Sequence, residues 1–435
     1  MFERLDQKIP TMYQKGSNSV RTYGAPLTSY TVSLDQDSKR ISPRQRYLRS
    51  LVGVLVFIYI ISSSVGWPVL APLMLFMPLL VQHYARTELT MWDEVLRDHV
   101  TQIAQIEHST RRFMGSTKFG FLTIVMGILV RALPLRWCDE VCAISAKTGV
   151  SIGCLGFLQI VYEFAAACTS FVITDGDSPP LHIRTMDWRM PFDLGPLTIQ
   201  IDFVRDGRVV FSGTTFAGYT GILTGMRHPN LEVEGFSIAV NFRSKTSSST
   251  DSEYGLGWAL LRGGSLVGQQ VRGVLEAGPA QFQQLVHQLE TCPLLAPSYL
   301  TIAPDSHHNE PVVLTRGRHT SIKMRSGNDL VQANMDAHKV VDVMNSVQRI
   351  NYAQRFMDVF KREQLKSKLE RSELSAWDRL WELISKGPLT HSSTIYANVM
   401  CPGYGWYETR INRTYAGKFE KTLDEIRSTV LTHDA

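Results

Sequence analysis

A run without a single charged residue, from Leu51 to Val81, restricts where this chain can place its N-terminal part. About 20 apolar residues cross a bilayer as a helix, so the run predicts one membrane anchor over residues 51–82. Basic residues such as Arg46 and Arg49 precede it and acidic residues follow it. The positive-inside rule then predicts a cytosolic tail and a lumenal or extracellular remainder. A buried helical hairpin broken at the prolines of the run is the alternative.

The segments on either side of this run differ in their patterns. Residues 1–50 show no helical or alternating period and are rich in polar residues, which predicts a disordered polar tail. Residues 83–167 predict a helical segment. It contains an amphipathic helix over 88–113 and more apolar helices over 119–133 and 146–167. The apolar helices are expected to form core or to contact a membrane.

From Cys168 onward, short alternating or β-branched runs are separated by turn residues, and Asp206-Gly207 marks a hairpin. Helices are predicted at about 257–276, 281–289 and 352–385, and further strands near 299–303, 312–315, 330–333, 394–400 and 406–411. Strands and helices in this order indicate a layered α+β fold with mostly antiparallel sheets. No other apolar run is long enough to span a bilayer, which argues against a multi-span membrane protein.

Charge and cysteine content exclude other classes. A formal charge of +5 with scattered basic residues does not predict a nucleic-acid groove. Six cysteines are too few for a disulfide framework, and Cys138 and Cys142 share a helix face without a complete ligand set for a metal. Asn412-Arg413-Thr414 matches the N-glycosylation pattern, which fits a lumenal glycoprotein.

Cys168 follows a series of small residues and begins a predicted strand. If the bond between Ala167 and Cys168 were cut, this residue would carry both a thiol and a free α-amine. An amine of pKa about 7.7 to 8.0 can act as base for a thiol of pKa about 8.5. Arg184 and Asp187, on the next predicted strand, could fix the amine. A buried, unreactive cysteine is the alternative, since that is the usual role of a free cysteine.

The residues around Cys168 resemble the acid ceramidase and N-acylethanolamine acid amidase family of N-terminal nucleophile hydrolases. The resemblance covers about residues 88–435. Its most specific part is the pattern YE-x4-5-CTS followed by R-x-MD, which stands here as Tyr162, Glu163, Cys168, Thr169, Ser170, Arg184, Met186 and Asp187. Further matches follow in order at residues 218–227, 238–243, 310–318 and 331–336.

This resemblance implies a fold and a set of site residues. Residues 168–435 are expected to form a four-layer αββα sandwich, the catalytic domain, preceded by the helical segment and the anchor. Cys168 is expected to be the nucleophile that cuts the zymogen and becomes the new N-terminus. Arg184 and Asp187 would position its amine and the substrate. Asn334 would donate to the oxyanion, and Arg349 is the candidate for a later arginine of the family.

One position departs from the family pattern. Phe242 stands where the family commonly has an acidic residue. Asn241 or Arg243 is therefore expected to compensate, and self-cleavage is expected to be slower.

On this resemblance the chain is expected to be a hydrolase of lipid metabolism. It would hydrolyse a ceramide or N-acylethanolamine type of amide to a fatty acid and an amine, in a lysosome or another acidic compartment or outside the cell. No metal or organic cofactor is implied. The expected partners are the lipid substrate, the membrane and an activator protein, and the two cleaved chains would stay associated. Two alternatives stay open: another acylated amine as substrate, and a catalytically idle membrane-bound scaffold.

Overall fold

The computed structural model describes residues 22–35, 90–132, 135–163, 166–176, 178–243, 264–325, 329–336, 345–370 and 380–415. The predicted anchor at 51–82 lies outside these ranges. Within them, no helix combines the length and the apolar character that a bilayer crossing needs.

The helices of the described ranges are α1 Asp93–Met114, α2 Ser116–Ala132, α3 Arg136–Thr148, α4 Ile152–Ile160, α5 Val267–Ala277, α6 Phe282–Thr291 and α7 Ser346–Glu370. The strands are β1 Ser29–Ser33, β2 Ala167–Asp175, β3 Ser178–Asp187, β4 Thr198–Arg205, β5 Arg208–Phe216, β6 Thr224–Arg227, β7 Phe236–Phe242, β8 Ser298–Pro304, β9 Val312–Arg316, β10 Ser321–Arg325, β11 Leu330–Gln332, β12 Thr394–Cys401 and β13 Trp406–Ile411. Short 3-10 turns cover Val161–Glu163 and Pro402–Tyr404.

Among the described residues, these strands form an eight-stranded sheet, β1-β4-β5-β6-β7-β8-β9-β10, and a five-stranded sheet, β11-β2-β3-β12-β13. Strands β2 and β3 pack against β7 and β8 of the other sheet, while α5 covers β5 to β7 and α7 covers β2 and β11. The layers are therefore helix, sheet, sheet, helix. Apart from the parallel pair β1 and β4, neighbouring strands run antiparallel, which confirms the expected α+β architecture.

The strand and turn signals of the C-terminal part correspond to observed elements. Asp206 and Gly207 both have positive φ, 51° and 73°, and join β4 to β5 as the Asp-Gly pair predicts. Strand β7 is buried along its whole length because it lies between the second sheet and α5. This explains why its sequence, FSIAVNF, is mostly apolar and does not alternate between apolar and polar residues.

The helical segment before Cys168 differs from the prediction at one place. Helices α1 and α2 lie where they were expected, but the single helix predicted over 146–167 is wrong. Gly149, with φ 74°, ends α3, and the hydroxyl of Ser151 then caps α4 by accepting a hydrogen bond from the Cys154 amide. A glycine in the left-handed conformation is a common helix end, so Gly149 was a sequence signal that the prediction of a single helix missed.

The prediction of a disordered tail over 1–50 is wrong for residues 22–35. Strand β1 pairs with β4 at the edge of the eight-stranded sheet, and Tyr23 is buried and forms a bridge with Asn412. The amide of Gly24 also donates to the carbonyl of Ile411. The segment is polar because it covers an edge, and its partners are far away in the sequence.

This pairing also corrects the predicted membrane topology. Residues 22–35 precede the apolar run and β4 follows it, yet both belong to one sheet. A single bilayer crossing between them would place them on opposite sides of a membrane. The cytosolic tail with a lumenal remainder is therefore wrong for residues 22–35.

The predicted glycosylation site at Asn412 does not fit the fold. Asn412 is 2 % exposed. Its side-chain nitrogen donates hydrogen bonds to the carbonyl oxygens of His391 and Thr394 at 3.0 and 2.9 Å. Both amide hydrogens are used inside the fold, so this nitrogen is not accessible to a glycan in the folded chain.

Candidate active site

Cys168 lies near the start of β2, fully buried, with its side chain directed toward the eight-stranded sheet. The β2–β3 register places it opposite Met186, whose Sδ is 3.4 Å from the Cys168 Sγ. Arg184 Nη2 lies 3.2 Å from the same sulfur, and the Tyr162 hydroxyl lies 3.8 Å away. The sulfur is thus surrounded by one cation, one hydroxyl and one thioether.

Arg184 is the charged group at the sulfur, and it is completely buried. Its guanidinium donates to the Tyr396 hydroxyl at 2.5 Å, to the Thr224 hydroxyl and to the carbonyl oxygen of Val240 at 2.7 Å. Burial alone would lower the pKa of Arg184, but the neighbouring Tyr396 and Cys168 raise it. The guanidinium therefore stays charged and can stabilise negative charge on the sulfur.

The backbone of Cys168 is held on both sides. Its N–H donates to Asn334 Oδ1 at 2.9 Å, and its carbonyl oxygen accepts from Arg349 Nη1 at 2.6 Å. The side-chain amide of Asn241 approaches the same carbonyl oxygen at 3.4 Å. The nitrogen that would become the free amine is therefore fixed by Asn334 before any cut.

Asn334 follows β11 and is fully buried. Its side-chain nitrogen donates to the carbonyl oxygen of Phe242 at 2.7 Å and lies 3.4 Å from that of Ala166. In the uncut chain this amide is thus occupied, whereas the sequence analysis assigned it to an oxyanion. The carbonyl at the expected cut belongs to Ala167, the residue after Ala166, so the Asn334 amide lies near the position that the sequence predicts for it.

Arg349 comes from α7 and reaches the same group. Its Nη2 donates to Asn334 Oδ1 at 2.9 Å, and its Nη1 donates to Thr169 Oγ1 at 2.9 Å. The hydroxyl of Ser346, one turn earlier in α7, accepts from both Arg349 and the Asn334 amide N–H. One helix turn therefore orients both the asparagine and the strand that carries the cysteine.

Asp187 ends β3 directly opposite Ala167, the residue before the proposed cut. One carboxylate oxygen, Oδ1, accepts a hydrogen bond of 2.5 Å from Thr394. The other, Oδ2, accepts none from the described residues although it is buried. It lies 4.0 Å from Arg349 Nη1 and 3.5 Å from His391 Nε2.

The departure at Phe242 is not compensated by Arg243 in an obvious way. Arg243 forms a two-pronged ion pair with Asp336, with distances of 2.8 and 2.9 Å, and Tyr299 donates to the same carboxylate at 2.7 Å. Asn241 instead joins the two sheets, because its amide donates to the carbonyl oxygen of Gln332 at 2.8 Å. The acid that the family pattern places at 242 has no replacement in either neighbour.

The structure therefore brings together all six residues that the sequence analysis named: Cys168, Arg184, Asp187, Asn241, Asn334 and Arg349. It adds Tyr396, Thr394 and His391, which come from β12 and the turn before it, and Ser346 from α7. Thr224 lies within the matched motif at residues 218–227, so the sequence contained a signal for its presence at the site. The β12 residues had none, because they reach the site only through the β3–β12 register.

A wholly apolar cavity lies beside this group. It begins at Trp188, the residue after Asp187, and Trp188 stacks edge-on against Tyr162 with ring centroids 5.5 Å apart. The lining side chains are Leu158, Trp188, Met190, Phe192, Leu194, Phe216, Tyr219 and Leu223. Helix α4 contributes Leu158, so the segment before the cut forms one wall.

Comparison with known proteins finds relatives named as acid amidases and acid ceramidases. No family model matches the chain. An N-acylethanolamine-hydrolyzing acid amidase of Caenorhabditis elegans is 26% identical over 72% of this chain and 85% of its own length. An acid ceramidase of Balaenoptera acutorostrata scammoni is 27% identical over 65% of this chain and 71% of its own length. An acid ceramidase of Pan troglodytes is 25% identical over 73% of this chain and 82% of its own length.

Solved structures include the Caenorhabditis elegans ortholog of the same amidase. It is 25% identical, covers 56% of this chain and 99% of its own, and superposes with a TM-score of 0.42. A conjugated bile acid hydrolase from Clostridium perfringens is 12% identical, covers 56% of this chain and 92% of its own, and gives a TM-score of 0.33.

Proposed function

The chain belongs to the acid ceramidase and N-acylethanolamine acid amidase family, and we propose that it cuts itself before Cys168 and then hydrolyses the amide bond of an N-acylated lipid. The observation that carries this proposal is the placement of Cys168. Its sulfur contacts the Arg184 guanidinium at 3.2 Å and its nitrogen is held by Asn334 at 2.9 Å. A structural cysteine needs neither contact.

Self-cleavage would begin with attack of the Cys168 thiol on the carbonyl carbon of Ala167. The carbon–nitrogen bond breaks, the nitrogen takes up the thiol proton, and the acyl group moves from nitrogen to sulfur. Water then hydrolyses the thioester, which leaves a carboxylate on Ala167 and a free thiol and amine on Cys168. Arg184 stabilises the charge on the attacking sulfur throughout.

Lipid hydrolysis would repeat the same chemistry on an external amide. The Cys168 thiol attacks the acyl carbonyl while its α-amine accepts the thiol proton and passes it to the leaving amine. Asn334, released from Ala166 by the cut, donates its side-chain amide to the oxyanion, a contact that typically contributes about 10² to 10³ in rate. Water then releases the fatty acid from the thioester and regenerates the thiol.

The apolar cavity beside Trp188 supports an acyl chain as the part of the substrate that the site recognises. All eight of its lining side chains are hydrophobic or aromatic, and it adjoins the residue that follows Asp187. Apolar surface is stabilised there because it leaves water. The cavity measures only about 10 Å³ in the uncut chain, so its walls would have to open to admit a whole acyl chain. The relatives named acid ceramidase and acid amidase support the same substrate class, and they favour an acidic lumenal or lysosomal compartment.

Phe242 favours a second candidate, a binding protein that keeps the fold without turnover. The family acid is missing at this position and neither neighbouring residue replaces it in the structure. If the acid is needed for the self-cleavage step, the chain stays intact and the amine of Cys168 is never formed. The same fold would then hold an acylated amine without cutting it.

The deciding experiment is intact mass and N-terminal sequencing of purified protein after incubation at acid pH, with Cys168→Ala as the matched variant. A new N-terminus at Cys168 in the wild-type protein only, together with release of fatty acid from ceramide or an N-acylethanolamine, is expected. A wild-type chain that remains uncut and inactive would overturn the proposal in favour of the binding protein.

A further inference from the structure

A histidine outside the proposed catalytic group lies against Asp187. His391 Nε2 is 3.5 Å from Asp187 Oδ2, and the two side chains are 44% and 1% exposed. That carboxylate oxygen accepts no hydrogen bond from the described residues. A buried carboxylate oxygen without a donor is costly, and His391 connects it to the surface.

The position of Asp187 in the strand pair gives this contact a consequence. Side chains alternate between the two faces of a strand, so the Cys168 sulfur faces the eight-stranded sheet, whereas Thr169 faces α7 and meets Arg349. Asp187 is opposite Ala167 and lies on the α7 side as well. When Ala167 is cut away, Asp187 is the acidic group across the strand pair from the new amine.

The turn that carries His391 is held in place from several sides. Its amide donates to Thr394 Oγ1 at 3.0 Å and its carbonyl accepts from the Thr394 amide at 2.9 Å. Asn412, buried at the end of β13, donates to the same carbonyl at 3.0 Å. The Trp188 amide, just beyond β3, donates to the carbonyl of Ser393 at 2.9 Å. The backbone of the turn that carries the imidazole is therefore fixed by hydrogen bonds on both sides.

The charges around the ring define how it can respond to pH. The Ser393 amide donates to His391 Nδ1 at 3.2 Å, so in the neutral ring the hydrogen is on Nε2, the nitrogen that lies 3.5 Å from Asp187 Oδ2. Arg349 lies on the other side of Asp187 at 4.0 Å, and the exposed Arg189 binds the Ser393 hydroxyl. Tyr23 adds no negative charge, since burial raises the pKa of its hydroxyl and keeps it neutral.

We infer that His391 is a positioning residue that holds Asp187 for the amine of Cys168, and that it does so most strongly when its ring is protonated. This inference rests on the proposed function and deepens it. Protonation removes the hydrogen bond that His391 Nδ1 accepts from the Ser393 amide, but it places a positive charge 3.5 Å from Asp187 Oδ2. A charge-assisted contact is about twice as strong as a neutral hydrogen bond. A protonated ring supplies the positive charge for this contact, so the pair is strengthened wherever the ring is charged.

The test compares His391→Asn, which keeps a neutral donor, with His391→Lys, which keeps a positive charge at every pH used. His308→Asn is the control, because His308 is an exposed histidine in the loop between β8 and β9. Each protein is assayed for self-cleavage rate and for kcat/KM on an N-acyl amide from pH 4.5 to pH 8. Folding of every variant is checked by its melting temperature.

We expect His391→Asn to lower kcat/KM about tenfold at pH 4.5 to 5 and by less than about twofold at pH 8, since one charge-assisted contact is lost only where the ring is charged. His391→Lys should retain most of the wild-type rate at acid pH and exceed His391→Asn at pH 8. A ratio of wild type to His391→Asn that is constant with pH, or equal rates for the Asn and Lys variants, would overturn the role of His391. If the wild-type protein shows no reaction that depends on Cys168, the proposed function fails, and the role of His391 fails with it.

Discussion

Glu140 on α3 and Arg272 on α5 form an ion pair of 2.7 Å that is almost completely buried, with side chains 1% and 3% exposed. Glu140 precedes Cys168 and Arg272 follows it, so the pair joins the two sides of the proposed cut. Arg272 also binds Glu276 at 2.9 Å, and the Trp92 indole donates to Glu140 at 2.9 Å. This buried network joins the helical segment to the C-terminal domain.

Removing one member of this pair is expected to destabilise the protein strongly. Glu140→Gln leaves Arg272 with Glu276 alone, and Arg272→Met leaves Glu140 with the partly exposed Arg136 alone. Each change is therefore expected to cost about 3 kcal/mol, the lower end of the usual range for a broken buried pair. Urea unfolding measures this change, and size-exclusion chromatography of the cut protein should show its two chains separating. Lys386→Ala, at an exposed pair with Glu382, is the control and should change stability by less than about 1 kcal/mol. Equal effects of the buried and the exposed changes would contradict this account.

Glu163 is expected to make the protein less stable as the pH rises. Burial raises the pKa of this carboxyl to about 8, so the folded chain keeps its proton while the unfolded chain loses it above about pH 4.5. Stability from this group is full below that pH and falls as the pH rises toward 8.

Glu163→Gln should therefore stabilise the protein by about 2 to 3 kcal/mol at pH 7 and have almost no effect at pH 4.5. Glutamine can still accept the hydrogen bond from the Val267 amide. Thermal unfolding at both pH values measures the difference, with the exposed Glu232→Gln as control. A stabilisation that does not change with pH would show that the carboxyl is ionised in the folded chain.

Arg349→Lys is expected to slow self-cleavage by about 10² because lysine cannot reproduce the planar fork of arginine. The fork now binds the Cys168 carbonyl, Thr169 and Asn334 at the same time. Intact mass measured against time gives the rate. The control is Arg362→Lys on the exposed face of α7, and cleavage of that variant at the wild-type rate is expected. Equal self-cleavage rates for both variants would show that Arg349 does not contribute to the reaction.

The shared sheet predicts that β1 and β4, which precede and follow the apolar run in the sequence, lie on the same side of any membrane. Single cysteines introduced at Ala25 and at His308, both exposed, should react alike with a membrane-impermeant maleimide in sealed microsomes. The unaltered protein gives the background, since its six cysteines are buried or partly buried. Labelling of one position and protection of the other would contradict the β1–β4 pairing.

Much of the candidate site could be predicted because its core is local in the sequence. Cys168, Arg184 and Asp187 lie on two consecutive strands joined by a hairpin, and the register of that hairpin brings them together. Arg184 shares the face of the Cys168 side chain, and Asp187 lies opposite the preceding residue, Ala167. Arg349 was identified only by the family's order of residues, and the structure brings it to the carbonyl of Cys168. The assignment of a donor role to the Asn334 amide depended on a cut chain, and the uncut chain uses that amide elsewhere.

The parts that sequence could not predict are those fixed by distant pairing. Strand β1 reads Ser-Tyr-Thr-Val-Ser and carries too little apolar character to be recognised without β4 beside it. His391 and Tyr396 reach the site only because β12 pairs with β3. Tertiary context decides such cases, since the same polar residues in isolation are typical of loops.

The contacts that residues 22–35 make also constrain the order in which the molecule can fold. Tyr23 meets Asn412, and the Leu27 amide donates to the carbonyl of Thr409, so a segment near the N-terminus has its partners near the C-terminus. During synthesis this segment emerges first, and although β1 can pair with β4, the part around Tyr23 and Leu27 must wait for the last strand before it can dock. Contacts between such distant parts of a chain are formed slowly and late in folding. The sandwich is therefore closed only after β13 has been made, and a ribosome-bound chain lacking that strand would expose the edge of both sheets.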